Sequence, residues 1–315
     1  MQVLKAVASL RPLWFIGVYL GVALIGGALL APGLWHWVHS PMAYLPQLNF
    51  LEAHNDFHRY INRCQMLLAL ALLWPLLKYN AMSNRHAVGL GRSGSEGFQW
   101  AGACLMGLCM LGIVAATATL APHLNWNFQG NWIKHLRNTC IAALLVPVLE
   151  EILFRGAIFG TLRRGMHWRT AAIVASLIFA AAHFLHPRQP NPQPVEWLSG
   201  LEMMTHIPDA FSNPGNIPKF ISLYLAGFIL CCLYQRAGNL YAAMGMHTAW
   251  IAGGKTLKFV LASNPASDPS SAAVLLWGRS DFLEGWIVVG VLALVAGYYF
   301  HQANQSHVSP RPAVA

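Results

Sequence analysis

The sequence has few charged residues. Asp, Glu, Lys and Arg make up only 10% of its 315 residues, whereas they make up about a quarter of a typical soluble domain. Acidic residues are scarcest, at 11 in total, and hydrophobic residues reach 56%. A chain this apolar is not expected to be a soluble globular protein. We therefore expect it to lie in a membrane, as a single membrane domain covering residues 1–315.

The sequence also lacks the cysteine pattern of a disulfide framework or a zinc ribbon. Its six cysteines fall inside or beside apolar runs, without paired spacing in loops, and we interpret them as small core residues. The net charge of +9 comes from basic residues scattered between apolar runs, not from the dense clusters that bind nucleic acid. Nucleic acid is therefore not an expected partner, whereas a lipid bilayer with an anionic inner leaflet is.

Apolar runs predict an all-α polytopic membrane helical bundle of about eight transmembrane helices. Three runs are long enough to cross the hydrocarbon without help, at residues 12–31, 98–121 and 138–160. Five shorter runs lie at 64–77, 170–186, 220–235, 237–254 and 283–300. A proline-rich connection at 187–219 cannot be one regular helix, and we expect it on the non-cytoplasmic side.

Basic residues predict the orientation of this bundle. They concentrate before the first span and after the second and fourth spans: Lys5 and Arg11; Lys78, Arg85 and Arg92; Arg163, Arg164 and Arg169. The positive-inside tendency then places both termini in the cytoplasm. We expect a multi-pass protein of the cell (inner) membrane.

Three charges interrupt the apolar span at 138–160. Glu151 and Arg155 are four residues apart in a helix, so they share a face and can form an ion pair. Glu150 is rotated by about 100° from its neighbour and is left without an obvious partner. A free carboxylate at such a depth suits a general base or acid, although a structural ion-pair knot between helices would also explain these charges.

Two histidines lie in other apolar runs. His183 follows Phe179 by four residues, and His247 lies in the run at 237–254. Each alone is more often a hydrogen-bonded core residue. Counting about 1.5 Å per residue from the basic connections puts both near the depth of Glu150, so we predict that the three converge in one cavity. Such a trio suits hydrolysis of a peptide bond by activated water, and it equally suits a zinc site with two histidines and a glutamate.

These motifs resemble a known family. The pattern Glu-Glu-x-x-x-Arg, then Phe-x-x-x-His, then a Gly-rich run ending in a histidine is similar to that of the CAAX-processing and bacteriocin-immunity (CPBP, Abi) intramembrane proteases, over residues 140–255. The resemblance implies a glutamate-dependent endopeptidase in which Glu150 and His183 activate water and His247 helps to stabilise the oxyanion. Glu151, Arg155 and Phe179 would support them.

One position departs from the family pattern. The last histidine of the family is followed, four residues later, by Asn or another polar residue that is thought to complete the oxyanion site, and here that position is Ile251. We hypothesise that the indole N–H of Trp250 substitutes as the donor.

The preferred interpretation is an intramembrane endopeptidase without a cofactor, acting on a membrane-associated peptide or protein. One alternative is a zinc-dependent membrane protease that uses Glu150, His183 and His247 as ligands. A proton-coupled transporter would also bury Glu, Arg and His, and Ile251 favours a non-catalytic immunity or binding protein. Lys255 and Lys258, near a helix end, are interpreted as snorkelling lysines.

Overall fold

The structure, a computed structural model, describes residues 2–40, 56–80, 82, 84–91, 94–185, 192, 194–212, 214–264, 267–268, 270–279 and 281–306. The predicted orientation used Arg92 and the side chains of Lys5 and Arg11, which lie outside the described residues. Most of the segment 186–193 also lies outside them.

Helices dominate the described chain. In chain order they are α1 (Gln2–Val38), α2 (Phe57–Tyr79), α3 (Glu96–Ala118), α4 (Trp132–Glu150), α5 (Gly160–Gly165), α6 (Trp168–Ala182), α7 (Ser199–Met204), α8 (Ile207–Ser212), α9 (Ile217–Ala237), α10 (Tyr241–Val260), α11 (Ala272–Trp277) and α12 (Trp286–Gln305). A π-helical segment, Glu151–Phe159, joins α4 to α5, and single 3₁₀ turns lie at Pro214–Asn216 and Phe282–Glu284. Two strands, β1 (Leu124–Trp126) and β2 (Leu261–Ser263), pair antiparallel with Asn125 opposite Ala262.

Five of these helices are long and apolar enough to cross a membrane: α1 from Leu13 onward, α2, α3, α9 and α12. The predicted all-α polytopic bundle is therefore confirmed. The count of about eight spans and the cytoplasmic side of both termini stay predictions. The proline-rich connection expected at 187–219 contains α7 and α8 and the start of α9.

The chain divides into two compact units, residues 1–80 with 181–214 and residues 81–180 with 215–315. In the first unit α1 packs along α2, and Gln65 donates a hydrogen bond from Nε2 to the Leu24 carbonyl at 3.2 Å. A side chain at Gly200 would collide with the Ala28 carbonyl, so α7 approaches α1 through bare backbone.

In the second unit α10 is central, with α3, α4 and α9 packed around it and α12 against α9. Two glycines allow α3 and α10 to approach closely. A Cβ atom at Gly107 would lie 2.8 Å from the Ala249 Cβ, and one at Gly245 would collide with the Trp100 carbonyl. In a bilayer the hydrophobic effect does not drive helices together, so they associate through close packing, which small residues at the contact allow. This contact determines which face of α10 turns towards α4.

The helix that runs from α4 into α5 changes its winding at its midpoint. Pro147 lies inside α4 and has no N–H to donate to the carbonyl four residues earlier. The π-helical segment begins at Glu151, directly after α4 ends at Glu150. Single-turn π-helical stretches inside α-helices are frequent at functional sites. Here the change in winding falls on the three charged residues Glu150, Glu151 and Arg155.

Candidate active site

An ion pair lies within the π-helical segment. Nη1 of Arg155 donates to Oε1 of Glu151 at 2.9 Å, and the two side chains are 1% and 0% exposed. Nη2 of Arg155 donates to the Gly227 carbonyl of α9 at 3.3 Å. The ion pair predicted from the four-residue spacing is confirmed. Because both charges are fully buried, each depends on the other for compensation.

Phe179 of α6 covers this ion pair. The Arg155 guanidinium lies 4.3 Å from the centroid of the Phe179 ring, which is in the range of a cation–π contact. Phe154 meets the same ring edge-on with centroids 5.0 Å apart. The aromatic pair therefore closes one side of the charges to water.

His247 of α10 reaches the same carboxylate. Its Nδ1 lies 2.8 Å from Oε1 of Glu151. Because an ionised carboxylate only accepts, we assign a hydrogen to Nδ1, which donates to Glu151. Glu151 thus joins Arg155 to His247 and orients the imidazole ring. This contact was not predicted from the sequence, where Glu151 had only Arg155 as a partner.

Glu150 faces the other nitrogen of the same ring. Its Oε2 lies 3.8 Å from Nε2 of His247, which is too far for a direct hydrogen bond. Among the residues that the structure describes, no group donates to this buried oxygen. The Glu150 side chain as a whole is 27% exposed. A carboxylate oxygen and an imidazole nitrogen therefore face each other at 3.8 Å, without a direct hydrogen bond.

When His247 is neutral, the charges of Glu150, Glu151 and Arg155 do not sum to zero. Two carboxylates, of Glu150 and Glu151, lie near one guanidinium, that of Arg155. A proton held by Glu150 or by His247 would bring the four side chains to neutrality, and buried charges are stable only when compensated.

His183 lies in a turn directly after α6, and its side chain is exposed. The predicted helix at 170–186 is too long, because α6 ends at Ala182 and 3₁₀-type hydrogen bonds such as Phe184 N–H to the Ala181 carbonyl follow. His183 belongs to the unit of residues 1–80 and 181–214, whereas Glu150 and His247 belong to the other unit. Convergence of all three residues stays a prediction.

Trp250 packs against an apolar cluster of α9, α10 and α12 that includes Leu233, Met246 and Leu292. This packing favours a structural role, and the hypothesis that Trp250 is an oxyanion donor stays untested. In the described ranges, no group of three His, Cys, Asp or Glu side chains has an arrangement that would hold a metal ion. Glu150 and His247 alone offer two ligands, and the zinc alternative stays a prediction as well.

The described cluster lies entirely within a segment that matches a protein family. The family model for "Type II CAAX prenyl endopeptidase Rce1-like" matches residues 132–252, from the start of α4 to within α10. No curated protein and no solved structure matched the chain. This match confirms the resemblance to the CAAX-processing proteases that the motifs predicted. Residues 132–252 of this multi-pass membrane protein are therefore similar to the Rce1-like type II CAAX prenyl endopeptidases.

Proposed function

We propose that the chain is a glutamate-dependent intramembrane endopeptidase in which Glu150 is the general base. The observation that carries the proposal is the 3.8 Å approach of Glu150 Oε2 to Nε2 of His247. A carboxylate oxygen without a donor beside an oriented imidazole is the pairing that activates water and stabilises the charge that develops on the carbonyl.

The reaction begins with a water molecule held beside Glu150. Its oxygen forms a bond to the carbonyl carbon of the scissile peptide while Glu150 takes one of its protons. Protonated His247, held through Nδ1, donates a hydrogen bond from Nε2 to the resulting oxyanion. The intermediate then collapses, the C–N bond breaks, and Glu150 returns its proton to the leaving amine. No proton is left over in the cycle.

Glu151 and Arg155 are positioning residues in this mechanism. Glu151 orients the ring of His247, and Arg155 compensates the charge of Glu151 within 2.9 Å. Carboxylate–imidazole pairs of this kind select the tautomer and the direction of the catalytic nitrogen. The buried ion pair therefore contributes to the site through His247 and without contact to the substrate.

His183 is proposed as a second group that activates water, on the strength of the motif match alone. The substrate is a membrane-associated peptide or protein. The name of the matched family makes a peptide with a prenylated C-terminus the first substrate to test. We place the protein in the inner cell membrane, as expected from the distribution of its basic residues.

The test compares purified full-length protein with Glu150→Ala and His183→Ala in cleavage of a prenylated C-terminal peptide and of co-expressed membrane proteins. Glu196→Ala, which removes an exposed carboxylate, is the matched control. We expect loss of cleavage in the first two variants and none in the control. Unchanged cleavage by both would overturn the assignment. A chelator is expected to have no effect, and inhibition that added zinc reverses would favour the metal mechanism.

A further inference from the structure

A second group of charges lies at the opposite end of α4 and α10. The first turns of α4 and the last turns of α10 border a cavity of about 410 Å³. Lys134, Lys255 and Lys258 line it together with His135, Thr139 and Phe259, and two asparagines complete the lining. None of the residues assigned to the lining is acidic. We name this the basic pocket.

The walls of the basic pocket are held in place by several contacts. His135 stacks on Phe259 with centroids 4.1 Å apart, and its Nε2 lies 3.3 Å from the Thr256 hydroxyl. Pairing of β1 with β2 ties the chain before α4 to the chain after α10. Gly130, with φ of +148°, lets that chain pass so close to Phe259 that a Cβ would lie 2.7 Å from its ring. The pocket therefore exists before any ligand arrives.

The three lysines have no acidic compensation within this lining. Lys134 lies in the first turn of α4, where the helix dipole disfavours a cation. Lys258 is placed favourably for the dipole in the last turn of α10, and both Lys255 and Lys258 line the same cavity as Lys134. Like charges brought together in this way repel each other, and an anion between them removes the repulsion. The arrangement is that of an anion site.

The location of the pocket indicates where the anion comes from. It lies at the same end as the last residue of α3, a helix long and apolar enough to cross the membrane. Trp126 and Phe128, which are 40% and 60% exposed, stack on each other beside it. Exposed aromatic rings at the end of a spanning helix are typical of the level of the lipid headgroups.

We propose that the basic pocket binds the phosphate of an anionic phospholipid. The pocket carries three lysines, and it lies at the end of a spanning helix beside exposed aromatic rings, at the level where phospholipid headgroups supply the anions. Thr139 and the asparagine side chains supply uncharged polar groups to the same cavity. The site is separate from Glu150 and His247, and the proposal does not depend on the peptidase mechanism.

The experiment follows thermal unfolding of the full-length protein in zwitterionic detergent while phosphatidylglycerol is added. It compares the wild type with Lys255→Gln/Lys258→Gln. The charge-matched control is Lys78→Gln/Arg137→Gln, which removes two exposed cations outside the pocket. We expect the wild type to be stabilised. Half-maximal stabilisation of the pocket variant should need roughly fivefold more lipid for each lysine removed, while the control stays near the wild type.

Three results would overturn the proposal. In the first, the pocket variant and the wild type respond equally to phosphatidylglycerol. In the second, inorganic phosphate at equal concentration stabilises the wild type as much as the lipid does, which would make the ligand a free anion. In the third, a peptide with a free C-terminal carboxylate, but not its amide, displaces the lipid, which would assign the pocket to a peptide. Phosphatidylglycerol retained by the wild type and lost by the pocket variant in native mass spectrometry would support the lipid.

Discussion

The helix pair α4 and α10 carries two charged regions that differ in burial and in the compensation of their charges. Around Glu150 the groups are largely buried, and Glu151 has partners at 2.8 and 2.9 Å. In the basic pocket the lysines are exposed, and no acidic side chain belongs to the lining. Buried charges are stable only when other groups of the protein compensate them, whereas water solvates exposed charges until a ligand binds. We therefore expect chemistry at the first region and ligand binding at the second.

The largest effect should come from replacing the proposed general base, Glu150. Glu150→Gln keeps the shape of the side chain but cannot take a proton, so we expect kcat/KM for peptide cleavage to fall by about 10³-fold. Steady-state kinetics on purified protein in detergent measure it. In the same assay Lys255→Gln/Lys258→Gln should stay within about twofold of the wild type. Comparable losses in both variants would break the separation between the two regions.

The next effect concerns stability. Arg155→Met leaves the buried carboxylate of Glu151 without its cation, and breaking a buried ion pair costs about 3–5 kcal/mol. Chemical unfolding in detergent should show this loss, together with loss of cleavage because His247 is no longer held by a compensated partner. The double variant Glu151→Gln/Arg155→Met removes both charges and should regain most of the stability without regaining activity. A loss below about 1 kcal/mol in the single variant would mean that water reaches the pair.

Features that depend on nearby residues were predictable from the sequence. The apolar runs at 98–121 and 237–254 correspond to Glu96–Ala118 and Tyr241–Val260, because hydropathy reports a segment's own preference for the membrane. The Glu151–Arg155 pair was predictable for the same reason, since residues four apart meet within one helix. The run at 12–31 extends to Gln2–Val38, because helices continue beyond the hydrocarbon.

Features that depend on helix contacts were not predictable. The predicted faces of Glu150 and Glu151 require regular α-helical winding, and the π-helical segment begins at Glu151. Pro147 was the available signal of irregular winding. The bond from His247 to Glu151 depends on the rotation of α10, which its contact with α3 at Gly245 and Gly107 determines. Glycines in a sequence indicate that helices can approach closely but not which helix approaches.

A smaller effect is expected at Trp250, which lies on α10 between the two charged regions. Its ring packs against the apolar cluster of α9, α10 and α12, and phenylalanine can fill most of that space. Trp250→Phe should therefore change kcat/KM by no more than about threefold, whereas removal of an oxyanion donor costs about 10²–10³-fold. His247→Gln is the comparison in the same assay. A hundredfold loss in Trp250→Phe would assign its indole N–H to the oxyanion.

The smallest predicted effect is the change in stability caused by Lys134→Gln, which should reverse its sign when phosphatidylglycerol is added. In zwitterionic detergent, Lys134→Gln removes a cation that the dipole at the first turn of α4 disfavours. It also removes the repulsion between Lys134 and the other two lysines, so the substitution should stabilise the protein by about 0.3–1 kcal/mol. With phosphatidylglycerol present the same substitution removes a ligand contact and should become destabilising. Unfolding with and without the lipid measures both, and Arg137→Gln, one turn further along the same helix end, is the control. If Lys134→Gln stabilised the protein equally in both conditions, no anion would occupy the pocket. Only with an anion bound between the lysines does the Lys134 ammonium contribute attraction to the ligand that outweighs its repulsion by Lys255 and Lys258.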